Sequence, residues 1–291
     1  MRRRDFITFL GGTTAWISTA RAQEPRRTIG VLGSASFDAF PGQEAAIIQA
    51  LKDSGFIEGK NLSIERRWAE GQYDRLPSLA SELVRRGMDV IVCYDVPAAF
   101  AAKAVTKTIP IVFRIGADPV KVGLVESFSR PNGNLTGMTA YFSVAGPKRV
   151  ELLHELLPDV STIAVLGNPN NENFQLDPPD IRAATDAFKQ RLEVLTASTA
   201  NGLEAAFTTM VQHRLGALIV VPDPFFFGRR EQLVELAARH MMPAIYPHRV
   251  FTDLGGLMSY GSDAQEGLHL DERLGIYVGK ILKEQPRGPD A

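Results

Sequence analysis

Short runs of apolar residues, rich in valine, isoleucine and leucine, recur along the chain. Most of these runs are continuously apolar, which is typical of parallel strands that helices cover on both faces. The sequence predicts four such strands, then a break, then four more. The predicted ranges are 29–34, 62–68, 90–94, 109–113, 162–168, 192–197, 217–222 and 243–247.

Apolar residues spaced as on one face of a helix lie between the predicted strands. The ranges with this spacing are 76–84, 203–211 and 274–282, and a further helix is predicted at 120–128. Asp74 is predicted to cap the start of the helix at 76–84, and Gly87 follows its end. Because strands and helices alternate, right-handed crossovers follow, and the sequence predicts an α/β fold with doubly wound parallel sheets.

The two groups of four strands predict two lobes instead of one sheet of eight. The links at 131–141 and 255–262 are rich in turn residues and then extended, which suits segments that cross between lobes. We therefore predict lobe one at 27–137 plus 257–285 and lobe two at 138–256. A chain that crosses and returns leaves a cleft and a hinge between its lobes. Open α/β sheets bind ligands beyond the carboxyl ends of their strands, and those ends can meet at this cleft.

The first 22 residues carry the features of an export signal. Arginines at 2–4 precede a mildly apolar stretch at 6–20, and the small residues at 20 and 22 form a cleavage signal. The arginine pair at 3–4 resembles a twin-arginine signal. We predict that residues 1–22 are an export signal peptide and that the mature protein is periplasmic. The alternative is an amphipathic first helix of a cytosolic protein.

Length, charge and cysteine content limit the classes of structure and partner that fit this chain. Removal of 22 residues from 291 leaves 269, which is enough for two lobes with cores of their own. The formal net charge of −1 gives no indication of a nucleic-acid partner or an anionic membrane surface. No stretch is long and apolar enough to predict a membrane span. The single cysteine, Cys93, excludes an internal disulfide framework and ends an apolar run, which favours a small buried side chain over a nucleophile.

Motifs that carry catalysis are missing from the sequence. It contains no Walker A loop, no complete GxGxxG fingerprint and no GxSxG elbow. None of the five histidines is paired at metal-ligand spacing. We therefore predict no catalytic residues, no metal site and no cofactor. Because catalytic residues can converge from distant loops, an exported enzyme that acts on a small molecule stays as the alternative.

The predicted strand ends carry small, polar and aromatic residues. Small residues let backbone N–H groups approach a ligand, aromatic rings supply stacking area, and carboxylates accept an ammonium group. Asp95 or Asp223 is the predicted partner of an amino group, and Phe225 or Tyr260 the stacking ring. The alternative for Asp118 and Asp223 is that they cap the helices that follow. The predicted ligand-binding residues are Ser34, Ala35, Ser36, Tyr94, Asp95, Pro97, Gly116, Asp118, Asn168, Asp223, Phe225, Tyr246, Ser259 and Tyr260.

Six stretches of the sequence resemble the ABC transporter substrate-binding protein family, which includes tryptophan- and tyrosine-binding members. They lie at 3–12, 67–86, 116–137, 146–158, 223–246 and 255–261, so the resemblance extends along nearly the whole chain. It implies a type I periplasmic-binding-protein fold, in which two Rossmann-like lobes close on a small organic ligand such as an amino acid. It also implies an ABC permease and its ATPase as partners. The family's ligand loops align with 34–36, 97, 116–118, 168, 223–225 and 259–261.

The sequence departs from the family at two places. Tyr94, Asp95 and Val96 stand where relatives carry small glycine and threonine residues, which changes the pocket shape and adds a carboxylate. The chain stops at Ala291, where the family continues and completes lobe two, so we expect an exposed sheet edge in that lobe.

A sugar-type transcription regulator shares the fold, but it needs a DNA-binding helix pair at the position of the export signal.

Overall fold

Two parallel sheets of five strands each organise the protein in a computed structural model. The structure describes residues 26–37, 41–131, 133–140, 145–175, 177–261 and 264–284. The export signal predicted at 1–22 lies outside these residues. None of the helices within the described ranges has the length and apolar character needed to cross a bilayer.

The first sheet has the strand order β2-β1-β3-β4-β5, and all neighbouring strands in it are parallel. Its strands are β1 (Arg27–Gly33), β2 (Leu62–Trp68), β3 (Val90–Cys93), β4 (Ile111–Ile115) and β5 (Leu135–Thr139). β3 and β4 are buried along their whole length. Their side chains alternate between two apolar clusters, one on each face of the sheet. This double burial explains why both strands are continuously apolar.

The second sheet repeats the topology of the first. Read from one edge, its order is β7-β6-β8-β9-β10, and its neighbouring strands are again parallel. Its strands are β6 (Thr162–Gly167), β7 (Arg191–Thr196), β8 (Ala217–Val220), β9 (Ala244–Tyr246) and β10 (Met258–Ser259). The predicted α/β fold class with two lobes is therefore confirmed, and the eight predicted strands agree with the observed bounds within two residues.

Helices cover both faces of each sheet. They are α1 (Pro41–Asp53), α2 (Leu76–Arg85), α3 (Val96–Val105), α4 (Gly146–Leu156), α5 (Asp177–Ala187), α6 (Ala200–Gln212), α7 (Pro224–Gly228), α8 (Arg230–Arg239), α9 (Arg249–Asp253) and α10 (Ala264–Glu284). α10 packs on α1, where Leu274, Val278 and Leu282 share a buried cluster with Ile47 and Leu51. Because α1 belongs to the first lobe, the chain returns to that lobe after it has formed the second sheet.

The helix predicted at 120–128 is wrong, because these residues form turns. The Asp118 carboxylate accepts hydrogen bonds from the backbone N–H groups of Val120 (2.9 Å) and Lys121 (3.1 Å), which fixes a turn at the start. Gly123 has a φ of +76°, which a helix does not allow. The apolar side chains of this segment fit a helical pattern, but its backbone hydrogen bonds close turns instead.

The capping role predicted for Asp74 is also wrong. Asp74 lies inside a short 3₁₀ helix, Tyr73–Arg75, that runs directly into α2. The N-cap of α2 is Arg75, whose side chain makes no capping hydrogen bond. The 3₁₀ turn supplies the capping geometry through the backbone, so no side-chain acceptor is needed there.

The second crossing between the lobes lies later than the predicted boundary at 257. Met258 and Ser259 of β10 pair with Ile245 and Tyr246 of β9, so they belong to the second sheet. Only α10 then packs on the first lobe. A strand of two residues is too short to show a pattern of its own, which is why the sequence placed this segment in lobe one. The other predicted lobe boundaries stay predictions.

Candidate functional site

The carboxyl ends of strands from both sheets face a cavity of about 430 Å³ between the lobes. The first lobe contributes Tyr94, Asp95, Val96, Arg114, Gly116 and Ala117 to its wall, and the second lobe Asn171, Asn173, Pro222, Asp223, Phe227 and His248. The first turns of α1 and α10 add Gly42 and Leu268. Ligands of open α/β sheets bind at this edge of the strands, and the volume is typical of small-molecule pockets.

Four of the predicted ligand-binding residues line this cavity: Tyr94, Asp95, Gly116 and Asp223. They follow β3, β4 and β8, which are central strands of the two sheets. The structure therefore brings together residues that lie far apart in the sequence and on different lobes. Their contact with a ligand stays a prediction.

The other predicted residues of the first lobe lie outside the cavity wall. Ser34 and Ala35 are buried directly after β1, and Ser36 is half-buried beside them. Pro97 is buried in the first turn of α3. Asp118 caps the turn described above, and not a helix as one of the two sequence alternatives had it. Their contact with a ligand stays a prediction.

The other predicted residues of the second lobe are also outside the wall. Asn168 and Phe225 are buried next to Asp223, and Tyr246 is fully buried in β9. Ser259 lies in β10, and the Tyr260 side chain is 42% exposed. In this arrangement Tyr246 packs in the core and Tyr260 points to solvent. A stacking role for Tyr260 stays a prediction.

The Asp95 carboxylate joins the end of β1 to the start of α3. It accepts hydrogen bonds from the backbone N–H and the hydroxyl of Ser34, and from the backbone N–H of Ala98 at 2.9 Å. It is the N-cap of α3. Burial raises the pKa of Asp95, while the hydrogen bonds from Ser34 and Ala98 lower it. Three of its acceptor positions are therefore used within the first lobe.

The Asp223 carboxylate is the centre of a buried hydrogen-bond network. It accepts from the side-chain amides of Asn168 (3.2 Å) and Asn171 (2.8 Å), and from the backbone N–H of Phe225 (2.9 Å). It is also the N-cap of α7, the second alternative that the sequence left open for it. The network fixes the loop after β6 and the start of α7 relative to each other.

The same carboxylate makes a hydrogen bond across the two lobes. The Tyr73 hydroxyl, from the first lobe, donates to Oδ1 of Asp223 at 3.1 Å and accepts from the backbone N–H of Phe225 at 3.2 Å. Tyr73 and Asp223 are both buried. A buried hydrogen bond between lobes stabilises the arrangement in which the lobes lie close together.

Replacement Tyr73→Phe is expected to shift the lobes toward an open arrangement. The variant loses the hydrogen bond between lobes while Asp223 keeps its four donors in lobe two. One such bond contributes about 1 kcal/mol, or about a fivefold change in the ratio of closed to open molecules. Small-angle X-ray scattering of the free protein measures this as a larger radius of gyration. Tyr277→Phe, at an exposed tyrosine of α10, is the matched control. An unchanged radius in Tyr73→Phe would contradict the role of this bond.

Stability is expected to fall with rising pH because of Asp223. Burial raises its pKa to about 6, against the lowering effect of hydrogen bonds from Asn171, Asn168 and Tyr73. In the unfolded chain the pKa of an aspartate is about 3.9, so the folded state binds this proton more tightly than the unfolded state does. The protonated carboxyl therefore adds to the free energy of unfolding below about pH 4. This contribution is lost as the pH rises through about 6. Between pH 4 and 7 the free energy of unfolding is expected to fall about 2 kcal/mol more in wild type than in Asp223→Asn. Urea unfolding at both pH values measures this difference, and parallel profiles would contradict it.

Sequence reasoning did not select seven polar residues of the wall, which are Gln43, Arg114, Asn171, Asn173, His248, Arg249 and Asp253. Arg114 gave a usable signal, because it is a single charge inside the buried strand β4. Asn171 and Asn173 stand just after the predicted strand end at Asn168. His248 gave no signal, since an isolated histidine after a strand has no distinctive spacing.

Burial and charge keep His248 neutral. Its pKa falls to about 3, first because of burial and then because of the positive charges of Arg149 and Arg114. Across the described residues, no group of three or more histidine, cysteine, aspartate or glutamate side chains is arranged to hold a metal ion. The cavity wall is therefore chemically mixed, with carboxylates, amides, a guanidinium group and apolar surface.

Comparison with known proteins identifies the family of this chain. The family model described as ABC transporter substrate binding protein matches residues 28–288. A tyrosine-binding protein from Clostridioides difficile (strain R20291) is 27% identical over 265 residues, covering 90% of this chain and 73% of that protein.

Solved structures share the fold. The ABC domain in complex with L-Trp from Streptococcus pneumonia is 23% identical, with a TM-score of 0.78. The ligand-free, open structure of a substrate-binding protein with adhesive properties from Clostridium difficile is 24% identical, with a TM-score of 0.58. Each alignment covers 89% of this chain and 86% of the other. The resemblance found in the sequence is confirmed, and the chain belongs to the ABC transporter substrate-binding protein family.

Proposed function

We propose that this protein is the exported ligand-binding component of an ABC uptake transporter and that it binds an amino acid between its lobes. It hands the ligand to a membrane permease that works with an ATPase, and it catalyses no reaction. Its location is periplasmic, reached through the export signal predicted at 1–22, and the arginine pair at 3–4 supports the twin-arginine route.

The cavity between the lobes is the observation that carries this proposal. Its wall combines residues of both lobes, so a bound molecule contacts both at once. A ligand closes two lobes only to the extent that it binds the closed arrangement more tightly than the open one. Contacts from both sides supply this difference in affinity, because the open arrangement offers only one side.

The relatives support an amino acid as the ligand. The tyrosine-binding protein is similar along 90% of this chain. The TM-score is 0.78 against the relative in complex with L-Trp and 0.58 against the ligand-free, open relative, which supports a closed lobe arrangement. The hydrogen bond from Tyr73 to Asp223 agrees with a closed arrangement.

The chemistry of the wall suits a zwitterion with an apolar side chain. Asp223 and the oxygen of Asn173 supply acceptors for an ammonium group, and the Asn173 oxygen is buried with no hydrogen-bond partner among the described residues. Val96, Phe227 and Leu268 supply apolar surface for a side chain. The guanidinium group of Arg114 supplies a positive charge for a carboxylate.

Isothermal titration calorimetry with L-tyrosine and L-tryptophan tests the proposal. Gly42 lines the cavity from α1 and is exposed, so Gly42→Trp places a ring at the cavity without disturbing the core. We expect one ligand per chain and an affinity at least about tenfold lower in this variant, since a blocked pocket loses most ligand contacts. Ala45→Trp, at an exposed position of the same helix that does not line the cavity, is the control and keeps wild-type affinity.

Two results would contradict the proposal. Failure of a panel of the common amino acids to bind folded wild-type protein would exclude an amino acid as the ligand. Equal affinities of wild type and Gly42→Trp would place the binding site outside this cavity.

A further inference from the structure

A buried ion pair lies directly behind the cavity wall. Arg114, in β4, is 6% exposed, and its Nε lies 2.7 Å from Oδ1 of Asp271 in α10, whose side chain is fully buried. Arg114 is the charged residue of a strand that is otherwise apolar and completely buried. Buried ion pairs contribute little net stability, because desolvation of both charges offsets their attraction. The pair therefore needs an explanation other than stability.

Among the residues that the structure describes, Arg114 is the one polar contact of Asp271. Both of its carboxylate oxygens are buried, and neither accepts a hydrogen bond from any residue that the structure describes. The first turns of α10 hold Arg114 closely, since a Cβ atom on Gly267 would lie 3.2 Å from an Nη atom of Arg114. Gly267 itself lines the cavity. The carboxylate and the glycine of α10 together fix where the guanidinium group lies at the wall.

The charge of Arg114 acts across the cavity. His248, on the opposite lobe, also lines the wall, and the charge of Arg114 is one of the causes that lower its pKa. Of the two members of the ion pair, Arg114 lines the cavity and Asp271 does not, so the positive charge of the pair is the one at the cavity wall. A buried positive charge beside a ligand cavity favours an anionic ligand group, and the planar guanidinium group matches a carboxylate in geometry.

We propose that Arg114 binds the carboxylate of the ligand and that Asp271 is a positioning residue that holds the guanidinium group at the cavity wall. This inference rests on the proposed function and assigns one end of the ligand to a named residue. A ligand without a carboxylate loses the contact with the guanidinium group, so Arg114 favours carboxylate-bearing molecules.

Ligand binding at Arg114 is expected to change the protonation of Asp271. Burial raises the pKa of Asp271 to about 6, and the charge of Arg114 lowers it. The charge of Asp271 also raises the pKa of Tyr94, which follows β3, and Glu44 and Arg66 act on Tyr94 as well. A carboxylate that binds to Arg114 brings a negative charge toward Asp271 and raises its pKa further. Binding at pH 7 is therefore expected to take up a fraction of a proton.

The test measures three probes by calorimetry: L-tyrosine, tyramine, which lacks the carboxylate, and 3-(4-hydroxyphenyl)propionate, which lacks the amine. Wild type is expected to bind tyramine at least about tenfold more weakly than L-tyrosine, and Arg114→Gln to bind the two almost equally. Arg239→Gln is the matched control, because Arg239 does not line the cavity, is 51% exposed and pairs with Glu235 on its own helix. It is expected to keep the wild-type preference.

Proton uptake gives a readout that does not depend on Arg114→Gln folding well. Binding enthalpies of L-tyrosine in phosphate and in Tris at pH 7 give the number of protons taken up by wild type. Asp271→Asn cannot take up this proton, so its enthalpies in the two buffers are expected to show none from this site. Circular dichroism confirms that each variant is folded.

The outcomes separate this inference from the proposed function. Tyramine binding as tight as L-tyrosine binding in wild type, or wild-type preference in folded Arg114→Gln, would overturn the role of Arg114 while amino-acid binding stands. Binding of 3-(4-hydroxyphenyl)propionate without binding of amino acids would overturn the proposed ligand while supporting Arg114. Absence of proton uptake would overturn the role of Asp271. Failure of both carboxylate-bearing probes with folded wild type would overturn both.

Discussion

Replacement Asp223→Ala is expected to lower the free energy of unfolding by about 2–4 kcal/mol at pH 7, because buried donors lose their acceptor. The amides of Asn168 and Asn171 and the backbone N–H of Phe225 all donate to this carboxylate. An alanine accepts a hydrogen bond from none of them. The loss of the α7 cap adds to the effect, since removal of a helix cap typically costs about 1 kcal/mol.

The variant is also expected to bind ligand much more weakly than wild type. Asp223 lines the cavity and accepts the hydrogen bond from Tyr73 that joins the two lobes. Urea unfolding and calorimetry measure the two effects. Thr199→Ala is the control, because Thr199 caps α6 and does not line the cavity, and its loss is expected to cost about 1 kcal/mol with little change in affinity. Similar losses of stability in both variants would contradict a special role for the Asp223 network.

The second large effect is expected for Gly167→Ala, at the end of β6. A Cβ atom at this position would lie 1.8 Å from Cε2 and 2.0 Å from Cδ2 of Phe174. Phe174 belongs to a short 3₁₀ helix, Glu172–Gln175, that also carries Asn173 of the cavity wall and contacts α3 of the first lobe. The added methyl group therefore displaces a segment that links the core to the site.

We expect Gly167→Ala to lower the free energy of unfolding by about 2–3 kcal/mol, in the upper range for overpacked cores. Ligand affinity falls with it, because Asn173 moves with the displaced ring. Gly228→Ala is the control, because a Cβ atom on Gly228 meets no atom within 4 Å, and its stability is expected to change by less than about 0.5 kcal/mol. Equal unfolding curves for Gly167→Ala and wild type would contradict this prediction, because they would show that the Phe174 ring moves aside with no loss of free energy of unfolding.

The strands of both lobes were predictable because of how they are buried. β3, β4 and β8 lie under helices on both faces, so every residue of these strands is apolar or small except Arg114. The helix predicted at 120–128 shows the limit of the same reasoning. Its apolar spacing fits a helix, but the hydrogen bonds of Asp118 and the left-handed conformation of Gly123 decide the backbone.

The location of the site was predictable, but its composition was only partly so. Topology places the strand ends at one cleft, which is why Tyr94, Asp95, Gly116 and Asp223 line the cavity. Pairings between distant elements leave no trace in the local pattern. Tyr73 stands 150 residues before its partner Asp223 and gives no signal apart from a tyrosine before a helix.

The partner of Arg114 illustrates the same limit. A charge in an apolar strand indicates that a partner exists, but not which element supplies it. Asp271 comes from α10. The apolar spacing of this helix predicts the helix itself, but it does not indicate which of its charged residues is buried. Only the return of α10 to the first lobe places this carboxylate behind the cavity wall.

A crystal structure of the protein with bound L-tyrosine or L-tryptophan tests the central claim most directly. The account predicts one ligand in the cavity between the lobes, in contact with residues of both, with its carboxylate on Arg114 and with Tyr73 still bonded to Asp223. A ligand held by one lobe alone, or bound outside this cavity, would contradict the account.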